Sequence, residues 1–131
     1  GDEINIIKAG ADYGWPTISY GTEYSGKPVN GGLTTMKGME QPVYYWDPSI
    51  APSGIVFYSG SKIPEWKGNL FVAALKGSHI VRLVIRDNKV IGEERLFSDL
   101  QKRFRHITEG PDGYLYAIID DRNGKIFRIT N

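Results

Sequence analysis

The sequence contains no cysteine. That rules out disulfide staples, thiolate nucleophiles and zinc–thiolate sites, and leaves the compartment open. It has no apolar run approaching the about 18–20 residues that a membrane-spanning helix needs. It has no excess of one charge: 16 Lys+Arg face 15 Asp+Glu, a formal net charge of +1. A general nucleic-acid binder would carry a strong basic excess, so that class is set aside. The opening GDEINIIKAG lacks both the basic and the apolar region of a signal peptide and has no initiator Met. The chain therefore reads as a processed product or a piece of a larger molecule. Walker loops, the dinucleotide glycine fingerprint, HExxH and GxSxG are all missing, which removes support for the chemistries they carry.

What is present is glycine and short apolar segments. The 131 residues include 16 Gly, above the usual about 7%, so many turns are expected. Segments 3–7, 42–46, 54–58, 69–74, 79–85, 89–97, 104–108, 114–119 and 125–129 are rich in β-branched and aromatic residues. Most are bounded by Gly, Pro, Asn or Asp, which predicts strands. No segment sustains a helical apolar period, so little helix is expected. Asp87-Asn88 and Asn123-Gly124 each separate two such runs, as type I′ hairpin turns would.

The chain also repeats. Gly68-Asn69-Leu70-Phe71-Val72 is echoed by Gly113-Tyr114-Leu115-Tyr116-Ala117, 45 residues later, and Ile80-Val81-Arg82-Leu83 by Ile126-Phe127-Arg128-Ile129. A period of about 45 built from short antiparallel strands is that of a β-propeller blade. Residues 54–97 predict one full blade of four strands, and 104–131 a last blade with three. Residues 1–46 predict the end of a preceding blade with a long loop through 15–41. A loop of that length is functional or covers a face. A propeller closes only with about four blades or more. The expectation is thus an all-β C-terminal part, about two and a half blades, of a larger propeller whose remaining blades lie elsewhere.

Charge is uneven along the chain: residues 1–60 hold 3 basic and 6 acidic groups, residues 61–131 hold 13 and 9. The second half would suit an anionic ligand, although ordinary surface scatter gives differences of this size.

Four strings carry a specific resemblance: GDEINII…YGWP, EQPVYYW…APSG, GNLFVAALK and RFRHITEGPDGYLY. In this order and spacing the chain resembles the C-terminal part of the soluble glucose/sorbosone dehydrogenases that use pyrroloquinoline quinone (PQQ), most closely the aldose sugar dehydrogenase branch. GPDG alone is common in propellers; the ordered set is specific. The resemblance implies a six-bladed β-propeller that oxidises the C1 hydroxyl of an aldose to the lactone. Hydride goes to PQQ, electrons pass to an external acceptor, and Ca²⁺ polarises the quinone. It also implies a periplasmic or secreted protein.

PQQ is a planar quinone with three carboxylates, so its site needs cations, a flat wall and a Lewis acid. Coulomb attraction to those carboxylates grows as water is excluded. The resemblance assigns Lys76, after the apolar run NLFVAAL, to the cofactor; a solvated strand-end lysine is the plain alternative. It assigns Arg103 and Arg105 to the cofactor carboxylates. In a strand these two would share one face while Phe104 points away, and guanidinium forks suit carboxylates. The alternative there is a surface ion pair with Asp99 or Glu109. Trp46 matches a tryptophan near the cofactor ring, although most tryptophans pack in cores. An aromatic found in some relatives three positions before it is Val43 here, with Tyr44 alongside.

Glu3 and Tyr13 resemble positions that hold a structural Ca²⁺, through the Glu3 carboxylate and the Tyr13 main-chain carbonyl. Two residues cannot complete the 6–8 oxygens Ca²⁺ takes, and an edge-strand charge with a packed tyrosine is the alternative. The family's general base is a histidine outside this segment. Neither His79 nor His106 matches its motif, and each reads as a packed or surface residue. Two further readings stay open: a non-catalytic binding propeller, since fold does not fix function, and a metal-dependent lactone or ester hydrolase. The latter needs a cluster of carboxylates that this segment does not show.

Overall fold

A computed structural model describes residues 1–130. The chain divides into two compact units, Gly1–Ile50 and the residues from Ala51 onward. Its regular structure is strand, in three antiparallel sheets, with helix limited to single 3-10 turns.

In the first unit, β1 (Asp2–Ile4) pairs with β2 (Tyr44–Trp46), matching Asp2 with Trp46 and Ile4 with Tyr44. The strand expected at 3–7 is therefore shorter and ends at Ile4. The Asp2 carboxylate accepts from the Ser49 hydroxyl at 2.7 Å and the Ile50 N–H at 2.8 Å, closing the chain back on β1. Between the strands, 5–43 is one long connection. Isolated bridges (Asp12 with Met39, Thr22 with Pro28) and a 3-10 turn at Val29–Gly32 hold it in shape.

The second unit holds a four-stranded sheet, β3 (Pro52–Phe57), β4 (Leu70–Ala74), β5 (His79–Arg86) and β6 (Lys89–Leu96), in that spatial order. A three-stranded sheet follows: β7 (Phe104–Glu109), β8 (Leu115–Ile119) and β9 (Ile126–Ile129). The order is sequential in both, as in consecutive blades. The repeat is structural: Gly68 and Gly113 precede β4 and β8, and both take the left-handed φ, +79° and +80°, that favours glycine. Asp87 and Asn88, at φ +50° and +59°, make the predicted tight turn between β5 and β6. Asn123-Gly124 does not. Residues 120–125 form a longer connection in which the Asp121 carboxylate accepts the Asn123 N–H at 2.9 Å, and neither Asn123 nor Gly124 has positive φ.

β4 is buried at all five positions, as befits an inner strand of small and apolar residues. The core between the two sheets joins Phe71, Ala73 and Ile80 of the first to Phe104, Ile107, Leu115, Ala117 and Ile129 of the second, with Tyr58 and Ile63. The Asp of GPDG is structural. Asp112 accepts from the Tyr116 hydroxyl at 2.8 Å, the Arg128 Nε at 3.0 Å and the Tyr114 N–H at 3.2 Å. The Tyr116 hydroxyl above all holds its carboxyl below the usual range.

Candidate functional site

The site builds up from the seam between the two sheets of the second unit. Their first strands, β3 and β7, pack along each other. The Ser53 hydroxyl lies 2.7 Å from the carbonyl of Phe104 and 3.1 Å from that of Ala73. At the other end of the seam the Glu109 carboxylate accepts the Ser59 N–H at 2.7 Å. The start of β3, the end of β4 and the start of β7 therefore share one end of the sheets. Lys76 follows β4, and Arg103 and Arg105 bracket Phe104, so the fold brings the lysine turn and the arginine pair to that same end.

Lys76 lies in the 75–78 turn rather than on β4 itself, and it is exposed. It makes no hydrogen bond or ion pair among the described residues, and the same holds for exposed Arg105. Arg103 differs. Its Nε lies 3.6 Å from the Asp120 carboxylate, with both side chains half-exposed, and the Asp120 N–H donates to the Arg103 carbonyl at 2.8 Å. The expected partners Asp99 and Glu109 are not the ones used. The register pairs Phe104 with Ile119 and so sets Asp120 opposite Arg103.

Contrary to what the sequence predicts, the two arginines do not alternate along an unbroken strand. Arg103 precedes β7, and the register shifts between Phe104 and His106, so Arg105 sits at a bulge. Burial still runs exposed, buried, exposed over Arg103, Phe104 and Arg105, but His106 is exposed as well. A bulge re-aims side chains in this way. β3 bulges at the facing place, between Pro52 and Gly54. A Cβ on Gly54 would lie 2.6 Å from His106 Nδ1 and 3.0 Å from His106 Cα, so glycine is what lets the two strands approach.

His79 is buried, as a packed histidine should be. Its Nδ1 donates to the Gly77 carbonyl at 2.6 Å, which leaves Nε2 as a buried acceptor without a donor. Burial pushes its pKa below 6.5, against the pull of the Gly77 carbonyl.

In the first unit, Trp46 is 4% exposed and meets Tyr44 edge-on at 5.3 Å between centroids. It is a packed ring with little face open to a ligand. The Tyr13 hydroxyl is engaged twice, donating to the Ile6 carbonyl at 2.8 Å and accepting the Lys8 N–H at 2.7 Å. Only its main-chain carbonyl is left for a metal. Glu3 accepts from Asn5 Nδ2 at 3.2 Å, and Asn5 Oδ1 is buried with no donor. Carboxylate, amide and carbonyl oxygens are the donors Ca²⁺ takes, so the residue types fit. No group of three or more His, Cys, Asp or Glu is gathered among the described residues.

Sequence reasoning missed Ser53, Asn5 and Asp120. The signal for the first was available, since a glycine inside a strand run marks a bulge or a close backbone approach.

Comparison with solved structures gives the class: this is part of a propeller-type sugar dehydrogenase fold. A crystal structure of a glucose dehydrogenase matches with a TM-score of 0.95 and 42% identity, covering 100% of this chain and 38% of that one. The PQQ-bound aldose sugar dehydrogenase of Streptomyces coelicolor, at 24% identity and a TM-score of 0.68, shares the fold over 96% of this chain and 35% of its own. The Glucose / Sorbosone dehydrogenase family model matches residues 1–128, and the chain belongs to that family. The aldose sugar dehydrogenase YliI of Escherichia coli K12 is 40% identical over 131 residues, 99% of this chain and 35% of that protein. The chain thus spans about a third of the length of the curated relatives it matches. No helix among the described residues is long and apolar enough to cross a membrane.

Proposed function

We propose that the full-length protein is a PQQ-dependent dehydrogenase that oxidises aldoses at C1 to the lactone, and that this segment supplies the cations for the cofactor's carboxylates. The observation that carries the reading is the convergence at one sheet end of Lys76 and Arg105, two exposed cations with no partner of their own. Unpaired cations set together at a structured seam are what an acidic ligand requires. Arg103, shared with Asp120, is the third and weaker contributor.

When bound, PQQ supplies the two-electron oxidant, with Ca²⁺ polarising its quinone oxygens. The role of these residues is to bind and orient: two backbone-anchored cations fix an acidic ligand in register, which turns a two-body encounter into a prealigned one. The family resemblance adds Trp46 as the tryptophan near the cofactor ring. Glu3, Asn5 Oδ1 and the Tyr13 carbonyl would hold a structural Ca²⁺. The remaining blades supply the base and the rest of the sugar pocket, the electrons go to an external acceptor, and the compartment is periplasmic or secreted.

The test is quinone titration of the full-length apoprotein with Ca²⁺ present, followed by dye reduction with an aldose. Lys76→Ala and Arg105→Ala should each weaken PQQ binding about tenfold or more while leaving the apparent sugar affinity of the loaded protein within about twofold. A titration curve equal to wild type for either variant would overturn the assignment.

A further inference from the structure

We propose that Ser53 is the positioning residue of this cation site, fixing the spread between Lys76 and Arg105; the inference rests on the reading above that these two hold the cofactor's carboxylates. Three observations converge on it. First, both first strands bulge at facing places, β3 between Pro52 and Gly54 and β7 between Phe104 and His106. Ser53 and Arg105 are the residues at those bulges. Paired bulges at one strand end redirect side chains and are over-represented beside active sites.

Second, the Ser53 hydroxyl spans the seam. A serine hydroxyl has one proton to donate. It goes chiefly to the Phe104 carbonyl at 2.7 Å, with the Ala73 carbonyl at 3.1 Å sharing it. One of these carbonyls belongs to the residue before Arg105 and the other lies three residues before Lys76. The turn that carries Lys76 and the bulge that carries Arg105 are therefore referenced to a single oxygen atom. Third, Gly54 makes the short span possible, because any Cβ there would strike His106 and push β7 away. Serine then glycine is thus a matched pair: one closes the seam and the other leaves room for it.

A cation held only by solvent wanders over its rotamers, and ordering it on binding costs affinity. Anchoring the backbone on both sides reduces the number of geometries the pair must search. Ser53 touches neither cation, so its effect has to run through them.

The experiment uses the full-length apoprotein with Ca²⁺, titrated with PQQ at a temperature well below unfolding, beside thermal unfolding of each apo variant. Ser53→Ala should weaken PQQ binding about three- to tenfold, the scale of one lost hydrogen bond. Ser53→Cys, which fills the same space with a weak donor, should show a similar loss and serves if the alanine variant does not fold. Ser53→Thr keeps the hydroxyl and should stay within about threefold of wild type. The decisive readout is the cycle with Arg105. If Ser53 acts through that guanidinium, Ser53→Ala/Arg105→Ala binds no more weakly than Arg105→Ala alone, within about twofold, whereas a merely structural role gives multiplying losses. Wild-type affinity in Ser53→Ala or Ser53→Cys, with Arg105→Ala impaired, overturns the positioning role and leaves the cation site standing. Multiplying losses overturn it too. Wild-type affinity in Arg105→Ala instead overturns the parent reading, and the positioning role falls with it.

Discussion

Replacing Tyr58 by Phe removes one oxygen from the centre of the seam and should loosen it measurably. Tyr58 is 1% exposed, and its hydroxyl makes three contacts: it donates to the Gly113 carbonyl at 2.7 Å and accepts the Lys62 and Ile63 N–H groups, each at 3.1 Å. Phenylalanine keeps the ring against Phe71 and strands two donors and one acceptor. A net hydrogen bond contributes about 1 kcal/mol, and a buried group left unsatisfied costs about 1–3 kcal/mol. The Ile63 bond is buried while those to Lys62 and Gly113 are only partly so, and water can replace the latter two in part. The expected loss is therefore about 2–4 kcal/mol rather than the full sum of three penalties. Urea unfolding of the full-length protein reads the total, and amide exchange reads the place. The Lys62 and Ile63 amides should lose protection at least about tenfold, since every 1.4 kcal/mol is a factor of ten. A loss below about 0.5 kcal/mol with both amides as protected as before would refute the claim that this hydroxyl is satisfied only by the protein.

Three more outcomes are expected. Burial lowers the His79 pKa below 6.5, so the unfolded chain takes up its proton at a higher pH than the folded one. Its contribution to stability is complete above that value and is lost as the pH falls through the lowered pKa. Thermal unfolding from about pH 7 down to about pH 5 should show a steeper fall in wild type than in His79→Gln, and parallel curves would count against it. Asp120→Asn frees Arg103 from a half-exposed pair, so stability should change by less than about 1 kcal/mol while PQQ binding tightens about two- to fivefold; weaker binding would mean that Asp120 orients Arg103 for the ligand. A Ca²⁺ ion held by Glu3, as proposed, would stabilise by mass action, about 2.7 kcal/mol at a hundredfold excess over Kd. A calcium chelator should then lower the unfolding temperature of wild type more than that of Glu3→Gln, and equal shifts would remove Glu3 from the ligand set.

Sheet order was legible because period-two segments and turn residues are local signals. The four-strand and three-strand groups, the tight turn at Asp87-Asn88 and the matched glycines Gly68 and Gly113 all lie within reach of neighbours in sequence. Asn123-Gly124 misled because Asp121 captures the Asn123 N–H and draws the turn out, a choice made by a side chain outside the dipeptide. The geometry of the arginine pair was misread. Residue alternation assumes an unbroken ladder, and the bulge at Arg105 exists only because β7 must fit against β3. Asp120 could be found only through the β7–β8 register, which no local pattern states. The 15–41 connection was recognised by length and glycine content, but its bridges join residues with no pattern between them.

The two sheets of the second unit are stitched at three heights: Ser53 to Phe104, Tyr58 to Gly113, and Ser59 to Glu109. Three fasteners along one joint fix the slide of one sheet past the other, and the shared apolar core behind them opposes opening about that line. A small molecule held at the end of that joint would then meet the short 75–78 turn, with its exposed Lys76, before it met either sheet.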